Sequence, residues 1–486
     1  MSDEYLLLLT LLLPVAGSIF IALIGERNKN LRESVTLVVS VLLFITVVTI
    51  YQRFINGDFP TVILAEPIVG LSIGLQVESL GLIFGLVCSF LWIITSIYSI
   101  GYMRGHHEKH QTRFYAFFAL SIAATMGLTF SADVFTMFVF YELLTLMTYP
   151  LVTHSGTEEA KRAGRKYLGY LLGTSVCFLL LAIIWTWSLT GTLDFIPGEV
   201  FDNDTPDGLI TVLFLLYVFG IGKAALMPFH RWLPAAMVAP TPVSALLHAV
   251  AVVKAGVFCI LKISVYLFGL AELYDSGAWE WVFYFSAATI LIASFIALRQ
   301  DNLKARLAYS TISQLSYIIM ATAIIAPISI MGATLHIAAH AFGKITLFFA
   351  AGSIYVASDK TQVSQLDGIG RKMPLTMTAF AIGSLSMIGV PPTVGFISKW
   401  YMLQGAYSMQ NWIAIVVIVI STLLNAAYFL PIVYAAFFRK PSINISMEHG
   451  EAPVAILIAL AVTAAGTIIL FIMPDIFLQL FNLMMV

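Results

Sequence analysis

Two stretches rich in glycine and proline, GKAALMPFHRWLP (residues 222–234) and GVPPTVGFISK (residues 389–399), interrupt long apolar segments of the chain. Because proline removes a backbone donor and its ring clashes with the preceding turn, each segment is predicted to be a discontinuous helix. Backbone groups freed at membrane depth are tolerated only against protein or water. Lys223 and Lys399 lie beside the two breaks and can donate to the exposed carbonyl groups. The two stretches therefore predict a membrane fold with a buried polar interior.

The composition agrees with a membrane protein. The chain has 486 residues, of which 60% are hydrophobic and 10% are charged, and this excludes an ordinary water-soluble enzyme. Cys88, Cys177 and Cys259 stand apart in apolar segments, which indicates neither a disulfide framework nor an iron–sulfur or zinc site. We expect no cofactor, no metal and no nucleic-acid partner. The first apolar run is predicted to be a retained anchor, because no basic region precedes it.

Windows of about 20 apolar residues predict an all-α polytopic membrane protein with about fourteen transmembrane helices, the seventh and twelfth of them discontinuous. Each connection is numbered by the span that it follows. The predicted spans cover residues 5–24, 34–54, 79–102, 114–131, 134–152, 167–191, 208–238, 242–268, 279–298, 307–327, 331–356, 375–405, 411–438 and 452–480.

The basic residues lie almost entirely in the odd connections. Nineteen of the 25 Lys and Arg residues are there, whereas the even connections contain only Arg53, and the sixth contains five acidic residues and no basic one. Basic connections of membrane proteins face the cytoplasm. The pattern predicts a multi-pass protein of the cell (inner) membrane, with the odd connections inside and both termini outside.

The two breaks also suggest an internal repeat. The lysine precedes the prolines in the seventh span and follows them in the twelfth, and these spans are predicted to run in opposite directions. Residues 114–268 and 279–438 are therefore predicted to form two inverted five-helix repeats with a polar site near the midplane. Residues 1–103 are predicted to be an N-terminal three-helix segment, and residues 439–486 a C-terminal helix.

Five lysines belong to none of the connections, one acidic residue lies near the middle of a span, and three histidines join them. They are Glu142, Lys223, His248, Lys254, Lys262, His336, His340, Lys344 and Lys399. A charge at the bilayer centre costs about 2.5–3.5 kcal/mol on insertion scales, so such side chains are expected on faces lined by protein or water. Lys262 lies near the end of its span and is expected to snorkel to the membrane surface. The other eight residues are predicted to form a proton pathway.

Spacing indicates how protons can pass along this set. His336, His340 and Lys344 are four residues apart and share one face of the eleventh span over about 12 Å. Glu142 and Lys223 can both reach mid-membrane, where opposite charges stabilise each other. Neutralising Glu142 would lower the affinity of Lys223 for its proton, so the pair can act as a switch.

Other histidines have structural alternatives. His248 and Lys254 are six residues apart and can line a path without touching, but His248 can equally serve as an interhelical hydrogen-bond donor. A cluster in the third connection can bind a metal ion, although a solvated basic face is the favoured interpretation. That cluster consists of His106, His107, Glu108 and His110.

Five motifs together carry a resemblance to a known family. They are FYELLT (140–145), the stretch around Lys223, APTPVSALLH (239–248) with KAG (254–256), HIAAHAFGK (336–344) and the stretch that ends at Lys399. Over about residues 80–440, the chain resembles the antiporter-like subunits. This family comprises the D-type subunit of Mrp cation/proton antiporters, matching subunits of membrane-bound hydrogenases, and the proton-pumping subunits of respiratory complex I.

The resemblance implies a role for each matched residue. It implies a charged pair of Glu142 and Lys223 in a first half-channel, a central relay at Lys254, an onward link through His336, His340 and Lys344, and an exit-side Lys399. Three features favour an Mrp D-type or hydrogenase-associated member. Span twelve contains a lysine, span eight contains both a histidine and a lysine, and the chain stops after fourteen spans.

Three hypotheses of function follow. The favoured one is a proton-translocating subunit of an Mrp-type Na+(K+)/H+ antiporter, with other hydrophobic subunits as partners. The metal ion would pass through another subunit, because hard cations prefer clustered oxygen ligands and only one carboxylate lies mid-membrane. The alternatives are a proton pump of a redox-driven complex, of hydrogenase or complex I type, and a stand-alone solute transporter. No bond chemistry is expected from this chain, which has no nucleotide-binding glycine motif.

Overall fold

The computed structural model describes residues 3–196, 198, 200–202, 204–245, 250–440 and 450–484. The chain begins with α1 (Asp3–Ile24) and α2 (Lys29–Ile55), which are followed by the antiparallel strands β1 (Thr61–Ile68) and β2 (Leu71–Gln76). Strands of 8 and 6 residues are too short to stand out in hydropathy windows of membrane length, so this hairpin was not predicted. Apart from the hairpin, the fold is helical, as predicted.

The helices after the hairpin follow in chain order. They are α3 (Ser79–Gly105), α4 (Gln111–Thr129), α5 (Val134–Val152), α6 (Glu158–Thr174), α7 (Leu180–Thr190), α8 (Asp207–Gly220), α9 (Trp232–Ala235), α10 (Thr241–Ala245), α11 (Val252–Lys262), α12 (Leu270–Asp275), α13 (Ala278–Arg299), α14 (Leu303–Ala323), α15 (Pro327–Ser358), α16 (Pro374–Ile388), α17 (Val394–Ser408), α18 (Trp412–Phe438), α19 (Val454–Ile472) and α20 (Asp475–Met484). A π-helical turn, Ser175–Leu179, joins α6 to α7.

Nine helices within the described ranges are long and apolar enough to cross a membrane. Two more, α4 and α14, have 19 and 21 residues and bury several serine and threonine side chains. Other predicted spans consist of shorter helices separated by breaks. The prediction of a polytopic helical membrane protein is therefore confirmed, while the number of fourteen crossings stays a prediction.

Both breaks predicted from proline and glycine are present. In the seventh span, α8 ends at Gly220 and gives way to a short 3-10 turn, Gly222–Ala224. In the twelfth span, α16 ends at Ile388, and Gly389 adopts a left-handed conformation with φ +89° before α17 begins. Glycine adopts this conformation without the steric cost of a Cβ atom.

Two predicted spans differ from the sequence analysis. The eighth span, predicted as continuous over residues 242–268, is interrupted, since a bend at Ala251 precedes α11. Residues 243–255 contain no glycine or proline, so no local signal predicts this break. The last span is also two helices, α19 and α20, and Pro474 between them explains the interruption.

The connections contact one another in two groups. Among the odd connections, Arg32 of the first donates to Gln111 of the third at 2.7 Å, and Arg113 donates to the carbonyl of His154 in the fifth at 2.7 Å. Among the even connections, Leu75 of the second pairs with Ser131 of the fourth in an isolated β-bridge. The basic and the acidic connections thus meet at different ends of the helix bundle.

Helix α15 lies at the centre of the bundle, and its most apolar stretch is completely buried. A Cβ atom at Gly332 would lie only 2.8 Å from the Met402 nitrogen and 2.9 Å from the Ser398 carbonyl oxygen of α17. The two helix backbones can therefore approach closely only because residue 332 is glycine. This approach brings the histidines of α15 next to the second broken helix.

Candidate functional site

The predicted pathway residues in the described ranges lie in the interior. Lys399 is 4% exposed, and the other lysines and both histidines of α15 are completely buried: Lys223, Lys254, His336, His340 and Lys344. His248, the remaining predicted histidine, lies outside the described residues. The structure therefore brings together residues from four separate parts of the chain.

The first break holds Lys223 against α5. The ammonium donates to the Tyr141 carbonyl at 2.7 Å and to the Thr145 hydroxyl, and it lies 3.2 Å from the centroid of the Tyr141 ring. The backbone N–H of Lys223 also donates to the Tyr141 hydroxyl at 3.1 Å. Trp232 fixes the break from the other side, because its indole N–H donates to the Gly222 carbonyl at 3.0 Å.

Glu142 follows Tyr141 directly and interacts electrostatically with Lys223. Both of its carboxylate oxygens are buried, and within the described part of the chain neither has a hydrogen-bond partner. The ammonium of Lys223 instead donates to Tyr141 and Thr145. Glu142 and Lys223 thus interact by Coulombic attraction and not by a hydrogen bond.

Helix α11 packs directly on the first break. A Cβ atom at Gly256 would lie 2.2 Å from the Ala224 nitrogen and 2.4 Å from the Lys223 carbonyl carbon, so only glycine permits this approach. Two residues earlier, Lys254 extends into the interior. Its amine has no hydrogen-bond partner among the described residues and interacts electrostatically with Lys344 of α15.

On α15, the two histidine rings lie with their centroids 6.1 Å apart. His336 Nε2 is 3.0 Å from the Gln314 side-chain oxygen, and its Nδ1 is 2.8 Å from the Ser398 hydroxyl. The ring of His336 therefore bridges α14 and α17. A ring with both nitrogens engaged can accept a proton on one side and release one on the other.

Two turns further along α15, Lys344 donates to the Ser310 hydroxyl at 2.8 Å. The Tyr428 hydroxyl donates to the same oxygen at 2.9 Å and also contacts the Asn425 side-chain oxygen. A polar group formed by α14, α15 and α18 thus surrounds the amine of Lys344.

At the second break, Lys399 satisfies the carbonyl groups that the interruption of α16 leaves open. Its ammonium donates to the Met387 oxygen at 2.8 Å and to the Ile388 oxygen at 3.0 Å, as expected from the sequence, and lies 4.8 Å from the Tyr317 ring centroid. A cavity of about 190 Å³ between α17 and α18 reaches Lys399. Its lining is mostly apolar, and the exposed side chains of Trp400, Val419 and Leu423 show that it opens on the outer surface of the bundle.

Several polar partners escaped the sequence analysis. They are Tyr141, Thr145, Ser310, Gln314, Ser398 and Tyr428. Gln314 could have been found, since a side-chain amide inside a predicted span is unusual. Serine, threonine and tyrosine occur throughout the spans, so their types alone carry no signal.

The expectation that Lys262 snorkels is wrong. Its side chain is completely buried and forms an ion pair with Glu78 at 2.7 Å. The sequence analysis treated Glu78 as part of a connection, although the hairpin folds this residue back onto α11. The histidine cluster of the third connection does not assemble as a metal site in the described ranges; His106 instead lies 3.1 Å from Glu108.

Comparison with known proteins places these features in a family. The family model described as NADH:quinone oxidoreductase/Mrp antiporter, TM, matches residues 131–425. The chain belongs to the NADH:quinone oxidoreductase/Mrp antiporter family. The matched residues include both breaks, and the resemblance inferred from the motifs is confirmed.

Members of the NADH:quinone oxidoreductase/Mrp antiporter family from both branches are similar to this chain. NADH-quinone oxidoreductase subunit N of Desulforudis audaxviator (strain MP104C) is 34% identical over 397 residues, which cover 79% of this chain and 78% of that protein. A probable K(+)/H(+) antiporter subunit of Rhizobium meliloti (strain 1021) is 28% identical over 461 residues, which cover 93% of this chain. This alignment covers only 45% of the longer Rhizobium protein.

Solved structures with the same fold come from two kinds of complex. One is the membrane-bound sulfane sulfur reductase (MBS), an archaeal respiratory membrane complex, with a TM-score of 0.86 at 24% identity over 100% of this chain and 96% of that chain. The other is the Mrp complex from Dietzia sp. DQ12-45-1b, with a TM-score of 0.86 at 20% identity over 99% and 96%. These likenesses establish that nearly the whole chain has the same fold as these two chains.

Proposed function

We propose that this chain is the proton-translocating subunit of a multi-subunit membrane complex, and that this complex is an Mrp-type Na+(K+)/H+ antiporter. The observation that carries the proposal is the row of buried lysines and histidines between the two helix breaks. Such groups are rare in spanning segments and mark ion and proton pathways. Protons enter this row at the first break, where Glu142 and Lys223 form the charged pair.

Electrostatic coupling supports transfer along the row. Glu142 acts on Lys223, Lys254 on His336, Lys344 on both Lys254 and His336, and Lys399 on both His336 and Lys344. A charge that arrives at one group alters the free energy of charging its neighbours. Between Lys254 and Lys399, a proton taken up by one group therefore favours release of a proton by another.

Three titratable groups of the row each contact a hydroxyl group. Thr145, Ser398 and Ser310 contact Lys223, His336 and Lys344, respectively, and a hydroxyl can donate one hydrogen bond while accepting another. The distance of 6.1 Å between the two histidine rings is too long for direct transfer and requires water or ring motion. We assign the metal ion to another subunit, since only one carboxylate, Glu142, lies in the middle of the membrane.

The proposed setting follows from the charge pattern. We propose that the protein resides in the cell membrane, with the basic odd connections in the cytoplasm and both termini outside. Its partners are other hydrophobic subunits of the complex. Residues 114–268 and 279–438 form the two half-channels, each with one of the two breaks.

A redox-driven proton pump is the second candidate. It is favoured by the 34% identity to an NADH-quinone oxidoreductase subunit N over most of both chains. The two candidates differ in their partners: a redox pump must be associated with subunits that carry iron–sulfur clusters, whereas an antiporter must not. Purification of the complex from native membrane, followed by mass spectrometry and iron analysis, separates them.

The role of the charged pair is tested with the complex reconstituted in vesicles. Glu142→Gln and Lys223→Met are expected to abolish cation-driven proton flux, measured with a pH-sensitive dye, while the complex still assembles. The control is the exposed pair of Glu158 and Lys161, whose charged atoms lie 2.7 Å apart on the surface. Unchanged flux in both charged-pair variants would refute the proposed function.

A further inference from the structure

A second buried pair of charges lies away from the row described above. Lys262, the last residue of α11, is completely buried, and its ammonium lies 2.7 Å from the Glu78 carboxylate. The same ammonium donates to the Ser131 carbonyl at 2.7 Å and lies 4.5 Å from the centroid of the Phe195 ring. The second, fourth and sixth connections thus converge on one amine at the end of the eighth span.

The two members of this pair differ in exposure. The Glu78 side chain retains 16% of its accessible surface, while Lys262 retains none. Glu78 directly precedes α3, at the end of the bundle where the even connections meet. Glu78 Oε1, the oxygen that faces Lys262, is buried, so only a small part of the Glu78 side chain is exposed beside the even connections, and the Lys262 amine is fully enclosed by protein.

Helix α11 joins this pair to the centre of the proposed pathway. Lys254, Phe258 and Lys262 are four residues apart, so they follow one side of the helix over about 12 Å. The Phe258 ring lies 5.7 Å from the Lys262 amine and packs on Phe84 with a centroid distance of 5.1 Å. An aromatic barrier thus separates the central lysine from the peripheral one.

Two further titratable groups interact electrostatically with the pair. The Tyr266 phenol lies near Glu78, and the Cys259 thiol interacts with both Lys262 and Lys223. Cys259 follows Phe258 on α11, between Lys254 and Lys262. The Cys259 thiol thus lies within electrostatic reach of both Lys262 and Lys223 of the first break.

We propose that Glu78 and Lys262 form a proton port that connects the first half of the pathway to the medium at the even connections, with Phe258 as the barrier on its inner side. This inference rests on the proposed function. Glu78 exchanges protons with the medium and Lys262 passes them inward when Phe258 moves aside. A purely structural pair would only hold the hairpin, Ser131 and α11 together.

Lys262→Arg separates the two roles in the reconstituted complex. Arginine retains the positive charge and the hydrogen bonds to Glu78, but it cannot release its proton. A port predicts that proton flux falls about a hundredfold with the complex intact, whereas a structural pair predicts nearly full flux. Nearly full flux in this variant would overturn the proposal.

Glu78→Gln provides a second test, which does not depend on whether arginine fits the buried site. This change keeps the size of the side chain but removes the titratable carboxylate. We expect proton flux to become independent of the pH on the side of the even connections. Its dependence on the pH of the opposite side should remain. Glu78→Asp, which restores the carboxylate, is expected to recover part of the dependence. Glu158→Gln in the exposed pair is the matched control and should leave both dependences unchanged. An unaltered pH profile in Glu78→Gln contradicts the port.

Failure of the port and failure of the proposed function have different signatures. If Lys223→Met abolishes flux while Lys262→Arg and Glu78→Gln retain it with normal pH profiles, the port is wrong and the proposed function stands. If Lys223→Met and Glu142→Gln also retain flux, the proposed function itself is wrong.

Discussion

Lys344 and Tyr428 share one hydroxyl group. The Lys344 ammonium and the Tyr428 phenol both donate to Ser310 Oγ, at 2.8 and 2.9 Å, although the three residues belong to three different helices. This shared oxygen fixes the buried amine of α15 relative to α14 and α18. A proton from Lys344 can pass this oxygen only if the Ser310 hydroxyl gives up its own proton to a further acceptor.

Removal of the Tyr428 hydroxyl should therefore slow transport without breaking the fold. Tyr428→Phe leaves Lys344 with Ser310 but removes the second donor to that oxygen, and we expect proton flux to fall by about tenfold, the effect of losing one good hydrogen bond. Tyr434→Phe, on the exposed side of the same helix, is the control, since Tyr434 is 58% exposed. Equal flux in the two variants would contradict a role for the shared hydroxyl.

The close approach of α11 to the first break gives a test of packing. Gly256→Ala places a Cβ atom 2.2 Å from the Ala224 nitrogen, so the helix must move and Lys223 with it. We expect a lower thermal unfolding midpoint and a large loss of flux. Gly173→Ala in α6 is the matched control: apart from its chain neighbours and its own helix backbone, no atom of the described residues lies within 4 Å of the added Cβ, and alanine favours a helix by about 0.5–1 kcal/mol. A stable, active Gly256→Ala variant would show that the break tolerates displacement.

His154, in the connection after α5, predicts a pH dependence of stability. Burial, with a smaller contribution from the Arg113 guanidinium, lowers the pKa of His154 to about 4. Because an unfolded histidine has a pKa of about 6.5, the unfolded state binds the proton first as pH falls. The contribution of this residue is therefore complete above about pH 6.5 and declines between pH 6.5 and 4.

His154→Asn should remove this decline, measured as the unfolding midpoint of the complex against pH. His110→Asn is the control, because His110 is exposed and asparagine tolerates its left-handed backbone, with φ +54°. If the unfolding midpoints of the wild type and of His154→Asn fall equally steeply between pH 6.5 and 4, the lowered pKa of His154 is contradicted.

The sequence predicted the parts of the fold that depend on local chemistry. Both breaks were predicted from prolines, because proline cannot donate a helical hydrogen bond. These prolines are Pro228 and Pro234 at the first break, and Pro391 and Pro392 at the second. The interruption at Ala251 has no such residue, and it arises where α10 and α11 pack against other parts of the bundle. The loss of a backbone donor at proline therefore does not account for this position.

The candidate site was predictable to the same extent. Lysines and histidines in apolar spans are costly, so their burial in the interior could be inferred from composition alone. The pairing of Lys262 with Glu78 could not, because it depends on a hairpin that folds a connection back onto α11. The hydroxyl partners at Thr145 and Ser310 likewise depend on which faces of neighbouring helices meet.

The most direct test of a continuous pathway is proton flux in the complex with Lys254→Met. Lys254 lies between the first break and α15, and methionine fills a similar volume without a titratable group. The expected result is loss of flux to the background of empty vesicles, with normal assembly and unfolding midpoint. Flux at the wild-type rate in this variant would mean that protons do not pass along the buried row.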